Sequence, residues 1–206
     1  LTIKSEIPLI FDEVITGFRM HPGGIQALFN IQADIATYGK VIGGGISIGA
    51  ITGKRKYMDA LDGGHWQYGD DSIPEVGVTY FAGTFVRHPL ALAASKASLT
   101  YLKKQGSALQ EKLNDMTSRL AFELNTEFKK KNLPMIINHF GSLWRLKFNE
   151  DVLYGELLFN LLRENGIHIW DGFPCFMTEA YTEEDLTVII NTFKNCLDKM
   201  VSAGFF

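Results

Sequence analysis

The sequence predicts an α/β fold, and three observations carry that prediction. Short apolar runs of strand length stand at residues 6–11 and 46–52. A long segment at 107–130 repeats apolar residues every three or four positions, the spacing of one helix face, and another at 182–201 opens on a helix N-cap. The first apolar run ends in Asp12-Glu13, so a strand delivers carboxylates at its carboxyl end, where ligands bind in open α/β sheets.

The elements follow in order. Residues 6–11 read as a buried parallel strand ending at Asp12. Residues 35–45 lead through Lys40 into Gly43-Gly44-Gly45, and 46–52 reads as a second buried strand. Gly53 precedes a short helix at 55–61. Residues 62–77, rich in Gly, Asp and Ser, read as a long loop, and such loops are often functional. His88-Pro89 opens a helix with Leu90, Leu92, Ala93, Ala97 and Leu102 as its apolar face, stopped at Gly106. The helix at 107–130 carries Leu109, Leu113, Met116, Leu120, Leu124 and Phe128 on one face. Leu133-Pro134 marks a domain boundary. Beyond it stand a strand pair within 135–148, a helix at 152–165 stopped by Gly166, a strand at 167–170 and a last helix at 182–201. Thr182 followed by Glu183-Glu184-Asp185 is an N-cap with acids in the first turn.

Bulk properties narrow the function. The chain has 206 residues, 46% hydrophobic and 21% charged, with net charge −3. Its longest basic run is Lys129-Lys130-Lys131, which argues against nucleic-acid binding. No apolar run approaches the roughly 20 residues that span a bilayer. Cys175 and Cys196 lack metal-ligand spacing and read as free thiols of a cytoplasmic protein, with a single disulfide as the alternative. The chain starts at Leu1 without a methionine and reads as a piece of something longer.

Lys40 carries the clearest chemistry. It follows Ala36-Thr37-Tyr38-Gly39 and precedes Val41-Ile42 and the glycines. Most lysines lie on the surface, but apolar neighbours on both sides predict burial. Burial lowers an amine's pKa and makes it a nucleophile toward a carbonyl. A phosphate-binding loop is excluded: Gly53-Lys54 is followed by Arg55, and Ile48 stands where the first glycine belongs. Ile48 also breaks a dinucleotide-binding pattern begun at Gly43. Asp12 alone is an ordinary strand-end acid; with Lys40 downstream, the pair supplies the amine and the ring-nitrogen carboxylate that pyridoxal phosphate chemistry uses. In Phe81-Ala82-Gly83-Thr84-Phe85 the Thr84 hydroxyl suits a phosphate, or is simply a turn hydroxyl. Trp66 and Tyr68 could line a pocket. His65, His88 and His139 are scattered, without metal spacing.

These motifs resemble those of class III aminotransferases. Leu9-Ile10-Phe11-Asp12-Glu13-Val14-Ile15-Thr16-Gly17-Phe18-Arg19 is similar to the family's cofactor-nitrogen motif. Thr37-Tyr38-Gly39-Lys40-Val41-Ile42-Gly43-Gly44-Gly45 is similar to its Schiff-base lysine motif. Ala82-Gly83-Thr84-Phe85 with His88-Pro89 resembles its phosphate-contacting segment. Within the class the chain resembles glutamate-1-semialdehyde aminomutases. It is closer still to aminotransferase domains embedded in hybrid polyketide/nonribosomal peptide synthetases, which His21-Pro22-Gly23-Gly24-Ile25-Gln26 and Met58-Asp59-Ala60-Leu61-Asp62-Gly63-Gly64 favour. The likeness runs through Gly166-Ile167-His168. Ser47 stands where relatives often have proline.

The resemblance implies a pyridoxal 5'-phosphate-dependent fold of type I. Residues 1–132 would be the second half of the large domain with a connecting helix, and 133–206 a small C-terminal α/β domain. It implies Lys40 and Asp12 as catalytic groups, with Asp12, Val14, Lys40 and Thr84 binding the cofactor. Thr84 would reach the phosphate of the neighbouring subunit's cofactor in a homodimer. No metal is implied. The expected reaction moves an amino group from an amino acid to a carbonyl, in particular a carrier-bound β-ketoacyl group of secondary metabolism. An aminomutase is one alternative. Family members are roughly twice this length, and the absent N-terminal part normally supplies a phosphate loop and a ring-stacking aromatic. The second alternative is therefore a catalytically silent fragment.

Overall fold

The computed structural model describes residues 2–65, 67, 69–75, 77–79 and 81–206. It divides into two compact units, Leu1–Ser107 and Ala108–Phe206. Trp66 and Tyr68 lie outside the described residues.

The first unit is built on a three-stranded sheet in the order β1 (Ile10–Glu13), β2 (Ile35–Tyr38), β3 (Ala50–Gly53). β1 and β2 are parallel, and β3 runs antiparallel to β2. β1 begins only after Pro8, which has no N–H for a ladder. The Leu9 N–H donates to Asp34 Oδ2 at 2.8 Å, and Lys54 Nζ sits 2.8 Å from Asp34 Oδ1. Asp34 thus ties the start of β1 to the residue after β3. The Leu9 N–H first, then Lys54, hold its carboxyl below the ordinary carboxylate range. A carboxyl depressed in the folded state contributes stability above its unfolded value, about 3.9, and loses it as pH falls through the folded value. Thermal melts at descending pH should therefore show the unaltered protein losing an advantage over Asp34→Asn below that range. A constant gap between the two would overturn the assignment.

Two expectations for this unit are corrected. The strands are shorter than the apolar runs and are not buried on both faces. Ile10 and Ile51 are 59% and 51% exposed. Alternation along the strands puts Ile10, Asp12, Thr37 and Ile51 on this open face, and Glu13 and Ala36 on the buried one. The other correction concerns α3 (Pro89–Gln105), where Leu90 and Leu92 are exposed and Ala91 and Ser95 are buried. α3 packs on a 3₁₀ turn at Lys40–Gly43 and its cap Gly44. Gly44 has φ +56°, and a Cβ there would lie 2.5 Å from Ser98 Oγ. So close an approach admits only small side chains from the helix. The short helices α1 (Gly24–Leu28) and α2 (Arg55–Asp62) complete the unit, with α2 where the sequence puts it.

The second unit holds α4 (Ala108–Lys130), β4 (Met135–Phe140), β5 (Leu143–Phe148), α5 (Leu157–Glu164), β6 (Cys175–Phe176) and α6 (Glu183–Ser202). β4 and β5 form the expected strand pair, which is antiparallel, and β6 adds to β5. The predicted face of α4 is buried: Leu120, Leu124 and Phe128 meet Ile137 of β4, Leu158 of α5 and Phe193 of α6 in one core. That packing places α4 in this unit, so the units divide at Ser107/Ala108, whereas the sequence places its boundary after residue 132. Thr182 and Asp185 form a capping box that starts α6. Two α4 residues pair with α6, Arg119 with Glu183 and Glu123 with Lys194, and Lys131 just past α4 pairs with Asp198. Such surface pairs contribute little each. The helix expected from residue 152 begins only at Leu157. Residues 167–170 form no strand: Ile169 is buried in the core without ladder partners, and Arg163 pairs with Asp171 at 2.7 Å just beyond.

Asn125 of α4 treats β4 as a neighbouring strand would. Its Nδ2 donates to the Ile137 carbonyl at 3.0 Å, and its Oδ1 accepts from the Ile137 N–H at 2.7 Å. The open edge of β4 is satisfied there by one amide. Asn125→Ala strands both groups and is expected to destabilise the protein by about 2 kcal/mol, measured as a lower urea midpoint. A change below about 0.5 kcal/mol would mean water replaces the amide without loss.

Candidate active site

The site is assembled at the carboxyl ends of β1 and β2. Register sets Asp12 opposite Thr37. Asp12 Oδ1 accepts from the Val14 N–H at 3.0 Å and from the Thr37 hydroxyl at 3.2 Å. Both bonds end on Oδ1, so Oδ2 remains available to another donor. Asp12 lies on the open face of the sheet, where a ligand can reach it.

Lys40 begins the 3₁₀ turn after β2 with φ +46°, a left-handed backbone that non-glycine residues adopt rarely. Gly39 and Ile42 beside it are buried. The Lys40 side chain is exposed, contrary to the burial expected from its neighbours. Those apolar groups cover the backbone of the turn and leave the side chain outside. Among the described residues its amine has no hydrogen bond or ion pair. It lines a cavity of about 530 Å³ together with Val14, Gly45 and Ile48. A larger cavity of about 970 Å³ is lined by Val14, Thr37, Thr84 and His88. Val14 borders both cavities, and its N–H holds Asp12. Of the four residues singled out in the sequence, Val14 is thus linked to the other three, to Asp12 by a hydrogen bond and to Lys40 and Thr84 by a shared cavity lining. Thr84 itself is exposed in a turn before α3, its hydroxyl without a partner among the described residues.

Glu13 was not singled out for a role, yet it is 1% exposed. Its carboxylate accepts from the Thr16 hydroxyl at 2.6 Å and from the Ile25 and Gln26 N–H groups at 3.1 and 3.0 Å. Gln26 Nε2 donates to the Tyr38 hydroxyl oxygen at 3.1 Å, and Gln26 Oε1 accepts from the Ala33 N–H at 2.9 Å. Gly24 must be glycine: φ is +69°, and a Cβ would stand 2.6 Å from Glu13 Oε1. Burial first, then the Glu13 charge, push the Tyr38 phenol up; its bonds to Thr52 and Gln26 oppose this. Period-two alternation was the signal for Glu13, because it sends neighbouring acids to opposite faces. Thr37 had no such signal until β1 and β2 were paired.

Residues 1–203 match the family described as Aminotransferase class-III. The chain belongs to that family. Its members use pyridoxal phosphate, and the fold is part of the family's fold, type I. A transaminase solved with PLP bound shares 25% identity at TM-score 0.82, covering 98% of this chain and 46% of that one. A β-phenylalanine aminotransferase from Variovorax paradoxus shares 26% at TM-score 0.80, again 98% and 46%. A glutamate-1-semialdehyde aminomutase from Pseudomonas aeruginosa PAO1, at 19% identity and TM-score 0.78, covers 97% of this chain and 46% of that one, and shows the fold alone. This class III chain spans under half the length of the structures it matches.

The residues present fit pyridoxal phosphate. Among the described residues, an unpaired amine, a carboxylate with one oxygen uncommitted, an apolar residue lining the amine's cavity and an unpaired hydroxyl are a donor set suited to its carbonyl, ring nitrogen, ring face and phosphate.

Proposed function

We propose that the protein carrying this chain is a pyridoxal-phosphate-dependent aminotransferase that moves an amino group from an amino acid donor to a carbonyl acceptor. The observation that supports this most is Val14, whose N–H holds Asp12 and whose side chain lines one cavity with Lys40. The cofactor, when bound, supplies an electrophilic carbonyl and a ring that takes up electron density. Lys40 Nζ would hold that carbonyl carbon, and would then move a proton between the substrate's α-carbon and the carbon that bore the carbonyl. Asp12 Oδ2 holds a proton at the ring nitrogen, because a carboxylate favours the charged form of its partner. Val14 packs against a ring face and keeps water from it. The Thr84 hydroxyl donates to the phosphate, that of the neighbouring copy's cofactor in the homodimer that is part of this reading.

For the acceptor we propose a carrier-bound β-ketoacyl group, on the strength of the embedded-domain motifs at 21–26 and 58–64. The decisive experiment is borohydride reduction of the cofactor-loaded protein followed by peptide mapping. Label is expected on the Lys40 peptide, and label elsewhere overturns the reading. Offering a β-ketoacyl thioester with and without an amino acid donor then tests the acceptor. Turnover of a substrate that carries both an amino group and a carbonyl, with no separate donor, would make the protein an aminomutase.

A further inference from the structure

The buried acid beside Asp12 is unused by the chemistry above, yet it holds three donors. Two chains of contact lead from it. The first closes a turn. The Glu13 carbonyl accepts from the Gly17 N–H at 2.8 Å, and Glu13 Oε2 accepts from the Thr16 hydroxyl at 2.6 Å. Val14, whose N–H holds Asp12, lies within that turn. The second chain reaches the end of β2. Glu13 fixes the first turn of α1 through the Ile25 and Gln26 N–H groups, and Gln26 holds the Tyr38 hydroxyl. The Tyr38 ring packs on Phe18, with centroids 5.6 Å apart. Gly39 and then Lys40 follow directly.

We infer that Glu13 is a positioning residue: a single buried carboxylate that fixes both the turn presenting Val14 to Asp12 and the strand end that presents Lys40. This rests on the reading of Asp12 and Lys40 as the groups that hold the cofactor. A carboxylate is suited to the task because it only accepts, so its two oxygens satisfy three converging donors. An amide of the same shape turns an N–H toward at least one of those donors. The spacing between Asp12 and Lys40 then depends on a residue that touches neither the cofactor nor the substrate.

The test uses the full protein loaded with pyridoxal phosphate, and two variants. Glu13→Gln breaks the hub. Tyr38→Phe removes one hydroxyl and leaves the ring packing in place, so it reports on the second chain in a folded protein. Three quantities are measured: the dissociation constant for the cofactor, the pH midpoint of the visible band of the bound cofactor, and the melting temperature without cofactor. Glu13→Gln is expected to weaken cofactor binding about tenfold and Tyr38→Phe about threefold, the effects of losing a charged and a neutral hydrogen bond. Both should move the pH midpoint of the visible band in the same direction. If both keep the unaltered affinity and midpoint while only the melting temperature falls, Glu13 is a stability residue and the inference is overturned. If Glu13→Gln does not fold, Tyr38→Phe decides: an unchanged affinity and midpoint overturn it. Failure of the functional reading looks different, because the unaltered protein itself then takes no label at Lys40.

Discussion

Lys40→Ala is expected to abolish amino transfer in the full protein, lowering turnover by about 10,000-fold or more, because in the proposed function one amine serves both as the nucleophile that binds the cofactor and as the proton carrier. Stability should hardly change. The Lys40 side chain is exposed and has no partner among the described residues, and substitutions at such positions stay within about 0.5 kcal/mol. A large loss of activity at constant melting temperature is therefore the expected signature. Lys40→Arg separates charge from nucleophilicity: it keeps the cation, but a guanidinium stays protonated and cannot attack a carbonyl. It should be as inactive as Lys40→Ala. Turnover within tenfold of the unaltered protein in either variant would remove Lys40 from the mechanism.

What could be read before the structure was known follows a physical division. Asp12 and Lys40 were legible as candidates because each sits in a short motif whose chemistry is local, an acid ending a strand and an amine ahead of glycines. The face of α4 was legible because helix periodicity is also local, and Leu120, Leu124 and Phe128 are buried where spacing puts them. The buried face of α3 was not. Ala91 and Ser95 face inward because the turn ending at Gly44 comes so close, and hydrophobicity alone points to Leu90 and Leu92. The run at 167–170 has strand composition but finds no ladder partner, and pairing is a non-local property. The bond from Thr37 to Asp12 likewise needs the β1–β2 register. The exposure of Lys40 reflects the same distinction: apolar neighbours in sequence bury the backbone they belong to, and a long side chain can still leave that cover.

Asp12→Asn is the sharpest test of how the site distributes its work, since it changes one atom and one charge. The local structure should persist. Asparagine retains Oδ1, which accepts from the Val14 N–H and the Thr37 hydroxyl, and Thr37 sits opposite it in an unchanged register. The group at the other position becomes an NH₂. It donates where Oδ2 would accept, and it carries no charge to favour a protonated ring nitrogen. The variant should therefore fold, bind pyridoxal phosphate and still take borohydride label at Lys40. Its turnover is expected to fall by roughly 100- to 1,000-fold, the range found when one electrostatic stabiliser of a reacting group is removed. The drop should lie in the proton-transfer step, seen as a slow single-turnover rate with a deuterated amino donor and a large isotope effect. Label at Lys40 with near-normal turnover would confine Asp12 to bracing Val14 and Thr37. Loss of label together with turnover would mean that the carboxylate holds the cofactor in place, and that its charge is needed for binding before it is needed for chemistry.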